Sequence, residues 1–211
     1  MKKYTILFGA ICAVILAFSQ NAKADFLSTL NVGNDTLNGF SGPFGTVNVS
    51  LSGQIATITF TAGAGYVFLD GSSAAVQVNA SSFTSAIVND SEFKQFSSGQ
   101  VDGFGTFNLT IDNNDGFGSP VSLISFSVTN TSGTPWLSAA DVLGFSGPPV
   151  GNAGGPFDAA AHVAPLSAEG RITGFAGEGP GGHVPDGGAT ATLLGLGLAG
   201  VAGIRARFGR N

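Results

Sequence analysis

The chain has few of the side chains that support covalent catalysis or the binding of anionic polymers. Its 211 residues include one cysteine, two histidines and eight lysines and arginines. A single cysteine cannot form an internal bridge, which excludes a disulfide-stapled scaffold. So few cations also exclude a nucleic-acid-binding protein that works by bulk charge, because Lys and Arg must neutralise the phosphates.

Charge in general is sparse, whereas glycine is abundant. Charged residues make up 10% of the chain, and 33 glycines make up about one residue in six. Typical soluble domains have roughly 25% charged residues and roughly 7% glycine. Apolar residues still account for 43% of the chain, which argues against a wholly disordered protein. These averages combine three chemically different segments, namely two apolar, basic ends and an acidic centre.

Residues 1–24 have the pattern of a secretory signal peptide. A basic start is followed by an almost entirely apolar run, and Ala22 and Ala24 provide the small residues at positions −3 and −1 that signal peptidase requires. Cleavage there makes Asp25 the new amino terminus. Cys12 lies inside the apolar run, so the mature protein is expected to contain no cysteine. An uncleaved amino-terminal anchor is the alternative.

The sequence ends in a short motif, an uncharged apolar stretch at 189–204 and a basic tail. As a helix, at about 1.5 Å per residue, the stretch is somewhat shorter than a bilayer core of roughly 30 Å. The neighbouring glycines or a thinner bilayer close the gap, which predicts a transmembrane helix with a cytoplasmic tail. The motif residues are Val184, Pro185, Asp186, Gly187 and Gly188, and the tail carries Arg205, Arg207 and Arg210.

This three-part ending, residues 184–211, resembles the PEP-CTERM class of bacterial sorting signals in its Val-Pro-Asp-(Ser/Gly)-Gly variant. The commonest form has Glu-Pro where this chain has Asp186-Gly187. The resemblance implies recognition by an exosortase, a membrane-embedded enzyme similar to cysteine proteases, with cleavage near the motif. The implied route is export across the inner membrane, a transient membrane anchor, and then the cell surface or the extracellular matrix. An ordinary single-pass anchor is the alternative.

The resemblance also implies an association with exopolysaccharide, because exported proteins of this class occur in bacteria that make it. The expected partners are therefore signal peptidase, the exosortase and exopolysaccharide. The exported segment 25–183 contains twelve acidic residues but only Lys94 and Arg171 as bases, which gives a net charge of −10. Such a charge favours solubility and argues against binding anionic lipid or nucleic acid.

The centre of the chain has the period of two that is typical of strands. Apolar residues alternate with Asn, Ser and Thr over 47–51 and 56–60, and again over 121–129. We therefore expect an all-β domain at 25–150, an antiparallel β-sandwich or jelly roll. The domain extends to 175 if a last strand forms near Ile172. Residues 176–183 are rich in Gly and Pro and are expected to form a spacer.

The chain shows no recognisable catalytic motif. Neither a Gly-x-Ser-x-Gly elbow nor a His-Glu-x-x-His motif is present, so we expect a non-catalytic protein without a cofactor or metal. The segment 112–116 looks faintly like a calcium loop, but it does not have EF-hand spacing. A looser calcium site and a plain hairpin loop are the two interpretations of that segment.

Two other functions remain open at this stage. Trp136 and Tyr66 could stack on sugar rings, which would make the domain a carbohydrate-binding module. Two of its acidic residues could instead form the carboxyl pair of a secreted glycoside hydrolase. The primary interpretation is a non-catalytic, exosortase-sorted surface or matrix protein.

Overall fold

The computed structural model describes residues 25–88, 93–96, 98–113, 120–148, 151, 153–168, 172–178, 184–185, 195 and 197. Residues Asp25–Asp186 form one compact unit. The predicted signal peptide and the three tail arginines lie outside the described residues. Of the predicted membrane segment the structure describes Gly195 and Gly197, both in helical conformation. Within the described ranges we find no helix with the length and hydropathy of a membrane span.

The described residues form short antiparallel strands joined by turns. The strands are β1 (Phe26–Gly33), β2 (Gly45–Ser52), β3 (Ile55–Ala62), β4 (Tyr66–Phe68), β5 (Ala74–Val76), β6 (Phe83–Ile87), β7 (Phe93–Phe96), β8 (Gly99–Val101), β9 (Gly105–Phe107), β10 (Leu109–Asn113), β11 (Leu123–Asn130), β12 (Ala159–Pro165), β13 (Gly174–Glu178) and β14 (Val184–Pro185). Short 3₁₀ turns lie at Asp35–Leu37, Ala139–Asp141 and Leu166–Ala168.

Twelve of these strands form one continuous sheet. Its order is β6-β11-β3-β2-β1-β13-β12-β5-β10-β7, with β14 paired to β1 and β4 paired to β12. The sheet curls until its end strands β6 and β7 approach each other, and β8 and β9 form a separate hairpin. The all-β, antiparallel prediction is confirmed. The strands form one curled sheet rather than the two stacked sheets expected from the sequence, because the pairing continues from strand to strand while strand twist bends the surface.

The β2–β3 hairpin shows how the sequence alternation produces this sheet. Val47 and Val49 of β2, and Ile58 and Phe60 of β3, point inward and are fully buried. The intervening Asn, Ser and Thr face outward. Gly53 opens the two-residue turn with a φ of 61°, a conformation that glycine adopts without strain.

The curled sheet encloses the main core, and a smaller core lies on its outer face. The β8–β9 hairpin covers the second core, where Phe104 and Phe157 pack edge to face with ring centroids 4.7 Å apart. Strand β12 is consequently buried on both faces, with Ala160 in the outer core and Ala161 in the main core. The largest fully buried aromatic side chains are Phe60, Phe68, Phe104, Phe107 and Phe126.

The carboxy-terminal part of the compact unit differs from the expected spacer. Ala176, Gly177 and Glu178 belong to β13, which pairs with both β1 and β12. A Cβ at Gly177 would overlap the ring of Phe104. Gly177 therefore packs closely against an aromatic ring, whereas the sequence suggested that it belongs to a flexible linker.

Candidate functional site

An open cleft of about 680 Å³ lies between three loops of the compact unit. The three loops are 77–81, 132–137 and 141–145; all their residues except Gly133, Val142 and Leu143 line the cleft, and Asn108 completes the lining. The first loop joins β5 to β6 and the second follows β11, whereas the third is held to the first by backbone bonds from Asn79 N–H to the Val142 carbonyl at 2.8 Å and from Gly144 N–H to the Gln77 carbonyl at 2.7 Å. Its volume falls within the range of small-molecule binding sites, which are commonly 300–1,000 Å³.

Trp136 forms the floor of this cleft and belongs to the main core. Its indole Nε1–H donates to the carbonyl of Asn79 at 2.8 Å, and its backbone N–H donates to Gln54 Oε1 at 2.9 Å. The residue is only 3% exposed. At this exposure the indole, although it lines the cleft, offers little accessible ring surface to a ligand.

Tyr66, the other aromatic residue that the sequence suggested for sugar stacking, lies outside the cleft lining. Its ring packs edge to face against Phe44 with centroids 5.0 Å apart. The hydroxyl donates to the carbonyl of Ser41 at 2.8 Å. The structure therefore does not bring Tyr66 and Trp136 together on one binding surface.

Two large hydrophobic side chains of the described lining are exposed, Phe145 at 59% and Leu137 at 80%. Sequence reasoning missed Phe145. Its neighbour Ser146 points into the protein, where its hydroxyl donates to the carbonyl of Phe104 at 2.8 Å. Adjacent residues of extended chain point to opposite sides, so this inward Ser146 turns Phe145 outward. Only the tertiary partner of the serine identifies the phenylalanine as a surface residue.

Some of the polar groups of the lining are used to build the cleft. Asn108 Oδ1 accepts the backbone N–H of Val78 at 2.7 Å, and its Nδ2 donates to the Val78 carbonyl at 2.9 Å. Asp141 Oδ2 accepts the backbone N–H groups of Leu137 and Ser138 at 3.0 and 2.8 Å. These bonds fix the positions of the loops.

Other polar groups of the lining are available to a ligand. Gln77 uses Oε1 to accept the Asn108 N–H, and Asn79 uses Nδ2 to donate to the Asp141 carbonyl. Gln77 Nε2, Asn79 Oδ1 and Asp141 Oδ1 bond to none of the other described residues. The cleft thus presents both donors and acceptors beside an exposed aromatic ring.

A second polar cluster surrounds His162 of β12. The imidazole Nδ1 bonds to the carbonyl of Asp70, and the ring stacks on Phe175 with centroids 4.7 Å apart. Burial lowers the pKa of His162, although its bond to Asp70 and the nearby carboxylates act in the opposite direction. The contacts join β12 to the turn before β5, which indicates a structural histidine.

Asp112, the first residue of the calcium-like segment, belongs to this cluster. Its Oδ1 accepts the backbone N–H of Ser72, whose φ is 61°. Burial raises the pKa of the Asp112 carboxyl despite this bond. Residues 114–116 lie outside the described part of the chain. Across the described ranges no group of three or more His, Cys, Asp or Glu side chains could hold a metal ion.

Asp158 and Glu178 form a buried acidic pair away from the cleft. The two side chains are 2% and 4% exposed, and Ser28 of β1 lies beside them. Burial, then the hydrogen bond and charge of Asp158, raises the pKa of Glu178 well above its ordinary value. Neither residue lines the cleft.

The carboxy terminus carries a sorting motif of the PEP-CTERM type. Residues 183–208 match the family model described as the VPDSG-CTERM motif. A motif of this kind indicates an exported protein that is sorted to the cell surface. Comparison with curated proteins gave no match, and comparison with solved structures gave none either.

The first two residues of this motif belong to the sheet. Val184 pairs with Leu27 and Pro185 with Phe26, both in β1. The rest of the motif, from Asp186 to Gly188, lies outside the described residues, as do Ala22 and Ala24 of the predicted signal-peptidase site. The folded domain therefore engages the start of the sorting signal directly.

Proposed function

We propose that this chain is an exosortase-processed surface protein whose β domain acts without catalysis by binding extracellular polysaccharide in the cleft. The sorting motif supports delivery to the cell surface. The observation that carries the binding proposal is the exposed ring of Phe145 beside unused donors and acceptors. Sugar rings match such a surface, because their C–H faces pack on aromatic rings while their hydroxyls both donate and accept hydrogen bonds.

The arrangement of acidic side chains favours binding over hydrolysis. Glycoside hydrolases place two carboxyl groups on either side of the scissile bond, roughly 5–9.5 Å apart. Among the described residues, Asp141 is the one acidic side chain that lines the cleft. Asp158 and Glu178 lie next to each other but are buried, out of reach of a polymer. These positions support a binding role for the domain.

Co-sedimentation of the exported domain with insoluble extracellular polysaccharide tests this function. Phe145→Ala should weaken retention about two- to tenfold, as expected for loss of one aromatic contact. Leu166→Ala is the matched control, because Leu166 is also 59% exposed but does not line the cleft.

Both variants should melt at the temperature of the wild type, because surface truncations usually change stability by less than about 0.5 kcal/mol. Equal retention of wild type and Phe145→Ala would contradict the proposal. Release of reducing sugar from the polysaccharide would instead favour the hydrolase alternative.

A further inference from the structure

The charge of the cleft differs from that expected of a site for acidic polymers. Asp141 is the one ionisable side chain in its described lining, and the remaining polar groups are neutral amides and hydroxyls. The sequence between residues 25 and 183 holds only Lys94 and Arg171 as bases. Lys94 lies on β7 and does not line the cleft.

We propose, resting on the polysaccharide binding proposed above, that the cleft selects uncharged glycans and rejects glycans bearing carboxylate or sulfate groups. An acidic sugar would lose water from its anionic group without gaining a cationic partner among the described residues of the lining. It would also approach Asp141 and a domain of net charge −10, both of which repel it. An uncharged sugar has no anionic group to desolvate and is not repelled by the negative charge of the domain.

The neutral groups of the cleft suit such a ligand. Gln77 Nε2 can donate to a sugar hydroxyl, and Asn79 Oδ1 and Asp141 Oδ1 can accept from one. A carboxylate has only acceptor atoms and could use Gln77 but neither of the other two. Hydrogen bonding therefore favours the same class of glycan as the charge does.

Matched pairs of polymers test the selectivity on the exported domain. Dextran and dextran sulfate form one pair, and cellulose and carboxymethyl cellulose form another, so that only the anionic groups differ within a pair. We expect the wild type to bind at least one neutral member and to bind its anionic counterpart at least tenfold more weakly at 0.1 M salt.

Introducing a cation should reduce the selectivity. Ser81→Lys places an ammonium group in the lining at an exposed side chain that makes no hydrogen bond within the described residues. This variant should bind the anionic polymers about two- to fivefold more tightly than the wild type does, and the gain should disappear in 1 M salt. Thr84→Lys adds the same charge on β6, outside the cleft, and should show no gain.

The results separate the two proposals. Anionic members binding as tightly as neutral ones would overturn the selectivity while leaving polysaccharide binding intact. An equal gain in Ser81→Lys and Thr84→Lys would also overturn it, because the effect would then come from the net charge of the domain. No binding to any neutral or anionic polymer would overturn the proposed function and the selectivity together.

Discussion

Glu178 lies beside Asp158 inside the compact unit, where both carboxyl groups are shielded from solvent. Two adjacent carboxyl groups in such a site cannot both ionise without strong repulsion. Burial, together with the neighbouring Asp158, raises the pKa of Glu178 to about 9. The pair therefore keeps a proton in the folded protein at neutral pH, whereas an unfolded chain would release it.

This proton makes stability depend on pH. Between the ordinary glutamate pKa of 4.5 and about 9, the folded state binds more protons than the unfolded state. The contribution of Glu178 is fully present below pH 4.5 and is lost as the pH rises toward 9. Urea unfolding at several pH values should therefore show stability falling from pH 5 to pH 9.

Glu178→Gln should flatten that slope, because an amide cannot ionise. The same acid-to-amide change at the exposed Asp102 serves as the control and should leave the slope intact. His162 and Asp112 also titrate, so the difference between wild type and Glu178→Gln isolates the buried pair. Parallel pH profiles for these two proteins would show that Glu178 is ionised in the folded state.

Trp136→Ala should destabilise the domain by about 3–5 kcal/mol, the usual cost of truncating a buried aromatic residue. The substitution removes core packing and the hydrogen bond from the indole to the Asn79 carbonyl. Leu137→Ala alters the next residue, which is exposed, and should change stability by less than about 0.5 kcal/mol. Equal denaturation midpoints for the two variants would contradict the core assignment of Trp136.

Gly177→Ala should destabilise the domain by roughly 1–3 kcal/mol, as overpacking typically does. The new methyl group would collide with the ring of Phe104. Gly147→Ala is a suitable control, because its nearest neighbour would be the Thr106 carbonyl oxygen at an ordinary 3.7 Å. Thermal melts that rank the two variants in the opposite order would argue against the outer core as described.

Processing at both ends should be visible in an intact mass. Protein recovered from cells that produce an exosortase should begin at Asp25 and lack the tail with Arg205, Arg207 and Arg210. A variant without residues 184–188 should keep the tail. Recovery of the full tail on extracellular wild-type protein would refute removal by the sorting enzyme.

The sequence predicted strands where one strand face is buried and the other is solvated. The alternation at 47–51 and 56–60 became β2 and β3 in the expected antiparallel register. The alternation of apolar and polar residues could not identify β12, because both faces of that strand are buried and the alternation disappears. That Ala-rich run carried no period to distinguish a strand from a short helix.

The cleft was harder to predict than the sheet. It combines residues 77–81 with two loops more than fifty residues further along the chain, and the exposure of Phe145 depends on the inward bond of Ser146 to Phe104. Trp136, the single tryptophan, was a candidate for sugar stacking. Its burial and its hydrogen bond to Asn79 are instead those of a core residue. The absence of a basic cluster, by contrast, is a property of composition and could be read without the fold.

The pairing of Phe26 with Pro185 brings the start of the compact unit beside the start of the sorting motif. Phe26 also lies opposite Val49 of β2, four residues before Gly53 of the Gly53–Gln54 turn. Gln54 in that turn bonds to Trp136, the floor of the cleft. The entry of the chain, its exit and the cleft therefore share one end of the sheet. A glycan strand held in the cleft, as proposed, would therefore lie at the end of the sheet where the chain enters and leaves the compact unit.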